Sequence, residues 1–356
     1  MPPVPEATSG QPNLYIAPAN FAGQGFQWAR AVEQTLGVRA ANLTVIRGTI
    51  RFSSDFTVPS SVSYASTRWQ RRHFENVVSG FSHVLIEACM PVFGSLFDGD
   101  VRREIDALQK RGVRVGMISH GSEVRQPSGH AQRYAFSPFH VMAPERVASM
   151  ERVAQSNQAL IKELGVPWFV STAGLVRDHP EATWLPVCIK VEEWASRRIP
   201  LTKDAPVVVH APSREIMKRS DLVDAALAAL HEQGTITYRR ISGVPNSEMP
   251  KVLGDADILV DSVGSGNYGV ASCEGMAAGL VVVSAIDQQI AEIVRRETGC
   301  DLPIVHTEPD GVSDAIIRIL DDRAKYQTVA SDGLRFVNAF HSGARSAEAL
   351  RSFLAT

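Results

Sequence analysis

Short segments rich in valine and isoleucine alternate with longer amphipathic segments along most of this chain. Such alternation is typical of parallel β-strands connected by helices that cover both faces of a sheet. The predicted strands are residues 13–18, 83–88, 113–119, 168–172, 207–210, 236–241, 257–261 and 280–284. The predicted helices include FQWARAVEQTL, DVRREIDALQKR, ERVAQSNQALIKEL, SDLVDAALAALHEQ and DAIIRILDD. We therefore predict an α/β protein with doubly wound sheets.

The length of 356 residues is typical of two domains. Residues 197–206 hold two prolines and several charges without apolar periodicity, so we predict a linker there. It separates an N-terminal domain, residues 13–196, from a second domain, residues 207–340. Residues 1–12 are predicted to be a disordered lead, and a helical pattern within 341–356 closes the chain. Because doubly wound sheets bind ligands beyond the carboxyl ends of their strands, the cleft between the domains is the predicted site.

The composition disfavours several classes of protein. A net charge of −2 gives no basic field that would attract nucleic acid. No apolar segment is long enough to span a bilayer, and the polar N-terminus lacks the apolar core of a signal peptide. The four cysteines are far apart and form no CxxC motif, which disfavours a zinc site and favours a reduced, cytoplasmic protein.

The segment GSGNYGVASCEGMAAG, residues 264–279, follows a predicted strand and is the most informative motif. A helix that starts near Tyr268 would direct free N–H groups, including those of Gly269 and Val270, towards the cleft, where they favour phosphate. Glu274 lies one turn deeper on the same face, and its carboxylate can accept hydrogen bonds from a ribose diol. The alternative is an ordinary packed strand–helix unit with Glu274 exposed.

A second motif, HAPSREIMKRS, starts at the end of the predicted strand VVVH. Its Arg214 and Lys218 can both reach a diphosphate, the arginine as a planar fork and the lysine as a compact charge. The alternative is a solvated basic loop, which is what runs of charge usually form.

The first loop of the chain, within NLYIAPANFAGQG, places Gly23 and Gly25 after a predicted strand. The third glycine position of a dinucleotide-binding motif is Trp28, and no acid ends the second strand at the expected distance, which disfavours a dehydrogenase. Two interpretations remain: a loop whose backbone approaches a phosphate or sugar, or a plain tight turn.

A third loop follows the strand VRVGMIS and contains His120, Glu123 and Arg125. A histidine with an acid and an arginine close by, at the carboxyl edge of a sheet, can bind or orient a substrate. A structural histidine is the alternative.

Together these segments resemble the retaining glycosyltransferases with the GT-B fold, in particular bacterial members of the actinobacterial type. In chain order the likeness is carried by NFAGQGFQWARAVEQ, HGSEVRQPSGH, TWLPVCIKVEEW, HAPSREIMKRSDLV, ADILVDSVGSGNYGVASCEGMAAG and FVNAFHSGARSAEALRSFL. The resemblance implies two Rossmann-like domains that face each other across a cleft, with the C-terminal helix returning to the N-terminal domain.

The resemblance also implies an activity: transfer of a sugar from a nucleotide-sugar donor to an acceptor, with retention and without a metal. The donor is a cosubstrate, and no cofactor is implied. The acceptor is a glycan, a lipid-linked, a protein or a small-molecule acceptor, and membrane contact is at most weak and peripheral, at the inner face. A nucleotide-sugar epimerase and a non-catalytic nucleotide-sugar-binding subunit are the alternatives.

The family roles fall on particular residues of this chain. Glu274 matches the glutamate that holds the ribose, and Arg214 and Lys218 lie in the loop that clamps the diphosphate. Gly23 belongs to the loop that lies against the donor phosphate, and His120 matches a histidine near the transferred sugar. Three further residues are assigned to the acceptor side, namely Gln24, Glu123 and Arg125.

The sequence departs from the family pattern at three positions. Gly266 stands where the family has a second glutamate, eight residues before Glu274, which puts the donor-sugar contact in doubt. Glu215 stands where an arginine is expected and Arg219 where a glycine is expected, which suggests that Arg214 has taken over by a shift of one place.

The stretch SSDFTVPSSVSYASTRWQRRHFENV is expected to help shape the acceptor side through Trp69 and its arginines. Those arginines, Arg68, Arg71 and Arg72, could equally form a solvated helix face or a weak contact with anionic lipid headgroups.

Overall fold

The computed structural model of the chain describes residues 2–5, 13–46, 48, 52–196 and 198–355. The first parallel sheet consists of β1 (Asn13–Ala17), β2 (Arg39–Ile46), β3 (Phe56–Pro59), β4 (His83–Glu87), β5 (Arg114–Ser119), β6 (Trp168–Val170) and β7 (Thr183–Trp184). Its order is β3-β2-β1-β4-β5-β6-β7. The direction of winding reverses between β1 and β4, where doubly wound sheets open a crevice for ligands.

The second parallel sheet consists of β8 (Val207–His210), β9 (Thr237–Arg240), β10 (Ile258–Val260), β11 (Val281–Ser284) and β12 (Val305–His306). Its order is β12-β11-β10-β8-β9. The central strand β10 pairs through Ile258 with Val208 on one side and Val281 on the other. Because all pairs are parallel, the carboxyl ends of these strands share one edge.

Helices cover both sheets. They are α1 (Gln24–Leu36), α2 (Ser60–Ala65), α3 (Thr67–Gly80), α4 (Val101–Lys110), α5 (Pro127–Arg133), α6 (Pro144–Leu164), α7 (Ala173–Asp178), α8 (Val191–Trp194), α9 (Glu215–Lys218), α10 (Ser220–Glu232), α11 (Met249–Gly254), α12 (Val270–Ala277), α13 (Gln288–Thr298), α14 (Val312–Asp321), α15 (Arg323–Phe340) and α16 (Ala344–Ala355). The predicted α/β class, with all eight predicted strands, is confirmed.

The C-terminal helix α16 returns to the first domain, as predicted. Its apolar residues Leu350 and Phe353 share one buried cluster with Trp28 and Val32 of α1. Leu350, Trp28 and Val32 are each 0% exposed. Burial of such side chains contributes about 1.5–3 kcal/mol each, so α16 ties the two ends of the chain together.

The segments at the predicted lead and linker make specific contacts. Of the predicted lead, residues 2–5 are described and residues 6–12 lie outside the described residues. Val4 is 3% exposed and packs in the core of the first domain. In the predicted linker, Arg198 and the N–H group of Leu201 donate to the buried carboxylate of Asp257, at 2.9 and 2.8 Å.

Helix α3 corrects the expectation for Trp69. This side chain is 0% exposed and belongs to the core of the first domain, so it does not line an acceptor surface. The physical reason is the amphipathic pattern of α3, which buries Trp69 and Phe74 and leaves Arg68, Arg71 and Arg72 exposed. The three arginines form an exposed helix face, and whether it contacts lipid headgroups stays a prediction.

No helix among the described residues is both long enough and apolar enough to cross a membrane.

Candidate functional site

The carboxyl edges of the two sheets face each other, and side chains bridge the gap. Arg214, after β8, donates from Nη1 to the hydroxyl of Ser122, after β5, at 3.4 Å. Arg219 donates from Nη1 to the carbonyl oxygen of Phe136 at 3.2 Å. The loops that follow β5 and β8 therefore lie on opposite sides of one cleft.

Glu274 lies on α12, in the part of the second domain that faces this cleft. The helix begins at Val270 after Gly269, which has no side chain to cap the free N–H groups of the first turn. Glu274 is partly buried, and burial raises its pKa to about 8, opposed by the charge of Lys218 and reinforced by Asp261. The alternative of an exposed surface glutamate does not fit this environment.

Asp261 is a member of this cluster that the sequence analysis did not single out. It follows β10, is 4% exposed, and binds Lys218 Nζ at 2.5 Å and the Ser272 hydroxyl at 2.5 Å. Burial raises the pKa of Asp261, but the ion pair with Lys218, the Ser272 hydrogen bond and the nearby His210 together outweigh burial and lower it overall. The available signal was its position, a carboxylate directly after a buried strand in DILVD. Lys218 is therefore held in place by Asp261 and by the Ala211 carbonyl at 3.4 Å, with one N–H donor left for a ligand.

The basic loop separates its charges by direction. Arg214 is exposed and points across the cleft to Ser122, whereas Glu215 pairs with Arg240 at 2.5 Å. The acid at position 215 is thus neutralised away from the cleft contact, and Arg214 supplies the guanidinium there.

Arg219, at the position where the resemblance predicts glycine, has a left-handed backbone conformation with φ of 54°. A left-handed conformation is unfavourable for arginine. The cost of this conformation is offset by an ion pair between Arg219 and Asp221 at 2.7 Å and by the hydrogen bond from Arg219 to the Phe136 carbonyl. The Arg219 side chain occupies the space that a side chain at position 264 would need, since a Cβ atom on Gly264 would lie 2.6 Å from Arg219 Cγ.

His120 lies on the opposite side of the cleft, in the first domain. Its ring stacks on Trp28, with ring centres 5.5 Å apart, and meets the edge of Phe21 at 5.2 Å. Phe21 belongs to the first glycine-containing loop, in which Gly23 has φ of +74° and precedes α1. The loops after β1 and β5 are therefore in contact, as their common sheet edge predicts.

The three residues assigned to the acceptor side differ in their contacts. Glu123 accepts hydrogen bonds from the backbone N–H groups of His120 and Gly121, the second at 3.0 Å, and so fixes the His120 turn. Gln24 is buried and exchanges hydrogen bonds with the backbone of Cys188, at 2.7 and 3.1 Å. Arg125 is partly buried, which lowers its pKa, and forms no hydrogen bond or ion pair through its side chain among the described residues.

Gly266 is explained by a neighbouring tyrosine from the other domain. Tyr134 donates to Asp287 Oδ2 at 2.5 Å, and Arg177 donates to the Tyr134 hydroxyl at 2.7 Å and to Asp287 at 3.1 Å. Gly266 has φ of +63°, and a Cβ atom on it would lie 2.6 Å from Tyr134 Cζ. A larger residue at 266 is incompatible with this contact between the domains.

We expect Gly266→Ala to destabilise the protein more than an ordinary left-handed glycine replacement does. Gly165→Ala is the matched control, since Gly165 has φ of +60° and no atom within 4 Å of the added Cβ. Both carry the left-handed penalty of about 1–2 kcal/mol, and only Gly266→Ala adds overpacking of about 1–3 kcal/mol. The free energy of unfolding in urea measures the difference, and Tyr134→Ala should remove it. Equal losses at both positions would show that Tyr134 does not pack on Gly266.

Comparison with known proteins gives structural neighbours alone. No protein-family model matches the chain, and no curated protein matches its sequence. Sucrose-phosphate synthase from Thermosynechococcus elongatus superposes with a TM-score of 0.56 at 12% identity, over 97% of this chain and 98% of that one. Anabaena HepE, solved with UDP and glucose, superposes with a TM-score of 0.59 at 12% identity, over 98% of this chain and 100% of that one. An alpha-glucosyltransferase, solved with UDP and DNA, gives 0.59 at 10% identity, over 98% and 100%.

These neighbours and the two parallel sheets establish one point. The chain has the GT-B fold. Identities of this size show the fold alone, because one fold hosts many chemistries. The predicted fold class is thus confirmed, and the roles of the site residues are argued below as proposals.

Proposed function

We propose that the chain is a glycosyltransferase that moves a sugar from a nucleoside diphosphate donor to an acceptor with retention of configuration. The observation that carries the proposal is the position of Glu274, partly buried one turn inside α12 and beside Lys218. A carboxylate at this depth can hold a ribose diol while the diphosphate lies at the start of the same helix.

The diphosphate would be balanced by protein charge alone. The uncapped N–H groups at Val270 and the partial positive charge of the helix face the cleft, and Arg214 and Lys218 add two full charges. Charge that develops on the leaving diphosphate is then stabilised without a metal ion. Gly269 would leave room for phosphate or sugar to approach the backbone, since a Cβ atom there would have no neighbour within 4 Å among the described residues, and the loop of Gly23 would lie against the donor phosphate.

On the opposite side, His120 would contact the transferred sugar. Glu123 would set the turn that presents it, and Arg125, without a side-chain partner among the described residues, would meet the acceptor. Gln24 would act by anchoring the first loop to the Cys188 backbone. The residues thus divide into a donor side on the second domain and an acceptor side on the first.

A panel of nucleotide sugars, with and without cell-extract acceptors, tests the proposal. UDP-glucose is the first donor to try, because Anabaena HepE and the alpha-glucosyltransferase were each solved with it. Transfer with a retained anomeric configuration and no added metal supports the proposal. Isomerisation without an acceptor would identify an epimerase, and binding without turnover would identify a partner subunit.

Glu274→Gln should weaken nucleoside diphosphate binding by about 10- to 150-fold, because it removes about 1.5–3 kcal/mol of charge-assisted bonds to the diol. The effect should depend on pH. Since the pKa of Glu274 is raised to about 8, the ionised form that accepts two bonds becomes more populated as the pH rises towards that value. Affinity of the wild type should therefore rise by up to about tenfold per unit below pH 8.

Calorimetric titration of both proteins between pH 6 and pH 9 measures this dependence. The ratio of the two affinities is the informative quantity, because ionisation of the ligand affects both proteins equally. A ratio that stays near one at all pH values would make Glu274 a packing residue and remove it from the site.

A further inference from the structure

We propose that Glu87 is a positioning residue that fixes the tautomer of the His120 ring, an inference that rests on the proposed function. Glu87 is the last residue of β4 and is 0% exposed. Its Oε2 atom accepts hydrogen bonds from the backbone N–H groups of Ala19 and Asn20, at 2.9 and 2.8 Å. Its other oxygen, Oε1, has no hydrogen-bond partner among the described residues and lies 3.5 Å from His120 Nε2.

The His120 ring likewise has a buried atom without a hydrogen-bond partner in the part of the chain that the structure describes. Its Nε2 atom is buried and has no hydrogen-bond partner among the described residues. Buried polar atoms that lack partners are costly, and these two atoms lie 3.5 Å apart. Stacking on Trp28 and the edge contact with Phe21 restrict the ring and so keep its Nε2 atom beside Glu87 Oε1.

Glu87 is held in its slot from the other side by the start of α1. A Cβ atom on Gly25 would lie 3.1 and 3.3 Å from the two carboxylate oxygens, and 2.6 Å from Asn42 Nδ2. Glycine at this position lets the helix begin directly over the carboxylate. The second glycine of the first loop therefore makes room for Glu87, which the sequence analysis did not recognise.

The carboxylate determines which ring nitrogen carries the proton. A carboxylate accepts hydrogen bonds and cannot donate them, so the neutral ring is protonated on Nε2. Nδ1 is then left with a lone pair, and it makes no hydrogen bond in the described part of the chain. Directed at the cleft, Nδ1 would accept a hydrogen bond from a hydroxyl group of the bound sugar.

Glu87→Gln should invert this tautomer without changing the shape of the site. The two backbone N–H donors require an oxygen at the Oε2 position, so the amide nitrogen of the glutamine must face His120. That nitrogen donates, which makes His120 Nε2 an acceptor and moves the ring proton to Nδ1. The cleft then meets a donor where it met an acceptor.

The chain offers a matched control in Glu104. This second buried glutamate is 1% exposed and accepts hydrogen bonds from the backbone N–H groups of Val92 and Phe93, at 2.8 and 3.1 Å. Like Glu87 it is a buried glutamate that accepts two backbone N–H groups, although one donates to each of its oxygens, and it makes no contact with His120 among the described residues. Glu104→Gln therefore reproduces the loss of a buried carboxylate and leaves the tautomer of His120 unchanged.

The ¹⁵N NMR shifts of the ring nitrogens, measured at a pH where the ring is neutral, report the tautomer. The chain has ten histidines, and the His120 signal is assigned as the one that disappears from the spectrum of His120→Ala. We expect Nε2–H in the wild type and in Glu104→Gln, and Nδ1–H in Glu87→Gln. Turnover should fall about 10- to 100-fold in Glu87→Gln alone, with nucleoside diphosphate affinity unchanged. The equivalent aspartate-to-asparagine change in a serine-protease triad lowers turnover about 10⁴-fold. The effect is larger there because the histidine ring itself transfers the proton.

The inference is overturned if His120 has the same tautomer in the wild type and in Glu87→Gln, or if the two glutamine variants have equal turnover per folded molecule. Should Glu87→Gln fail to fold, an Nδ1–H ring in the wild type would overturn it equally. If the wild type transfers no sugar from any donor, the proposed function fails and the effect on turnover fails with it, whereas the NMR comparison still decides whether Glu87 sets the ring.

Discussion

Replacing both Arg214 and Lys218 by alanine is expected to abolish nearly all transfer and most nucleoside diphosphate binding. Each charge-assisted contact to phosphate contributes about 1.5–3 kcal/mol, so affinity should fall by roughly 10²- to 10⁴-fold. The fall in turnover should be larger than any fall in affinity for an uncharged sugar, because negative charge develops on the leaving diphosphate as the bond breaks. Titration with a nucleoside diphosphate and initial rates with an intact donor measure the two effects.

The pairing of Lys218 with Asp261 complicates this experiment and determines its design. Lys218→Ala leaves a buried carboxylate without its partner, which costs about 3–5 kcal/mol of stability. Because the ion pair lowers the pKa of Asp261, the loss of stability in Lys218→Ala should be complete at neutral pH. It should become smaller as the pH falls below 3.8, the ordinary pKa of an aspartate. Rates are therefore normalised to folded protein, and Arg214→Ala, at an exposed position, is measured alone.

Arg240→Ala is the matched control for this pair. Arg240 pairs with Glu215 of the same loop and with Asp224, so it removes one positive charge without touching the cleft contact to Ser122. Its turnover should stay close to that of the wild type. If the double variant at 214 and 218 keeps its activity and changes only its salt dependence, the loop is a patch that steers ligands and the diphosphate is bound elsewhere.

The strands that periodicity found and those that it missed differ in composition and length. The central strands β8 and β11 are continuous valine runs, VVVH and VVVS, as expected for strands buried on both faces. Strand β2, RAANLTVI, buries the polar Asn42 and contains little β-branched sequence at its start. Strands β7 and β12 are two residues long, too short to have a detectable period.

In the candidate site, too, short-range features could be predicted from the sequence, whereas contacts between distant segments could not. Arg214, Lys218 and Glu274 could be predicted as site residues because each follows a strand end or a helix start at short range. Asp287 lies 153 residues from Tyr134, and the pairing of these two depends on how one domain sits on the other. No periodicity of the sequence encodes that placement. Glu87 was missed for a related reason, since the last residue of a buried strand looks like part of the sheet.

His120→Ala is expected to fold, to keep nucleoside diphosphate affinity within a few-fold, and to lose turnover by on the order of 100-fold. The ring is on the side of the cleft opposite Glu274, so its loss should spare the donor nucleotide and remove a contact to the sugar as it gains positive charge, which typically costs about 10²–10³ in turnover. The ring also packs on Trp28 and Phe21, so a modest loss of stability of about 1–3 kcal/mol should accompany the effect.

A structural histidine provides the comparison that separates these two effects. His73 is 0% exposed, bonds to the Tyr15 hydroxyl at 2.7 Å, and has a pKa lowered to about 3 by burial. His73→Ala should lower the melting temperature by at least as much as His120→Ala and leave turnover per folded molecule unchanged. Thermal melting, diphosphate titration and initial rates on the same preparations decide the matter. A melting temperature that falls in His120→Ala while turnover per folded molecule stays normal would put His120 with His73, as a residue of the core, and would leave the sugar to be held by other groups of the cleft.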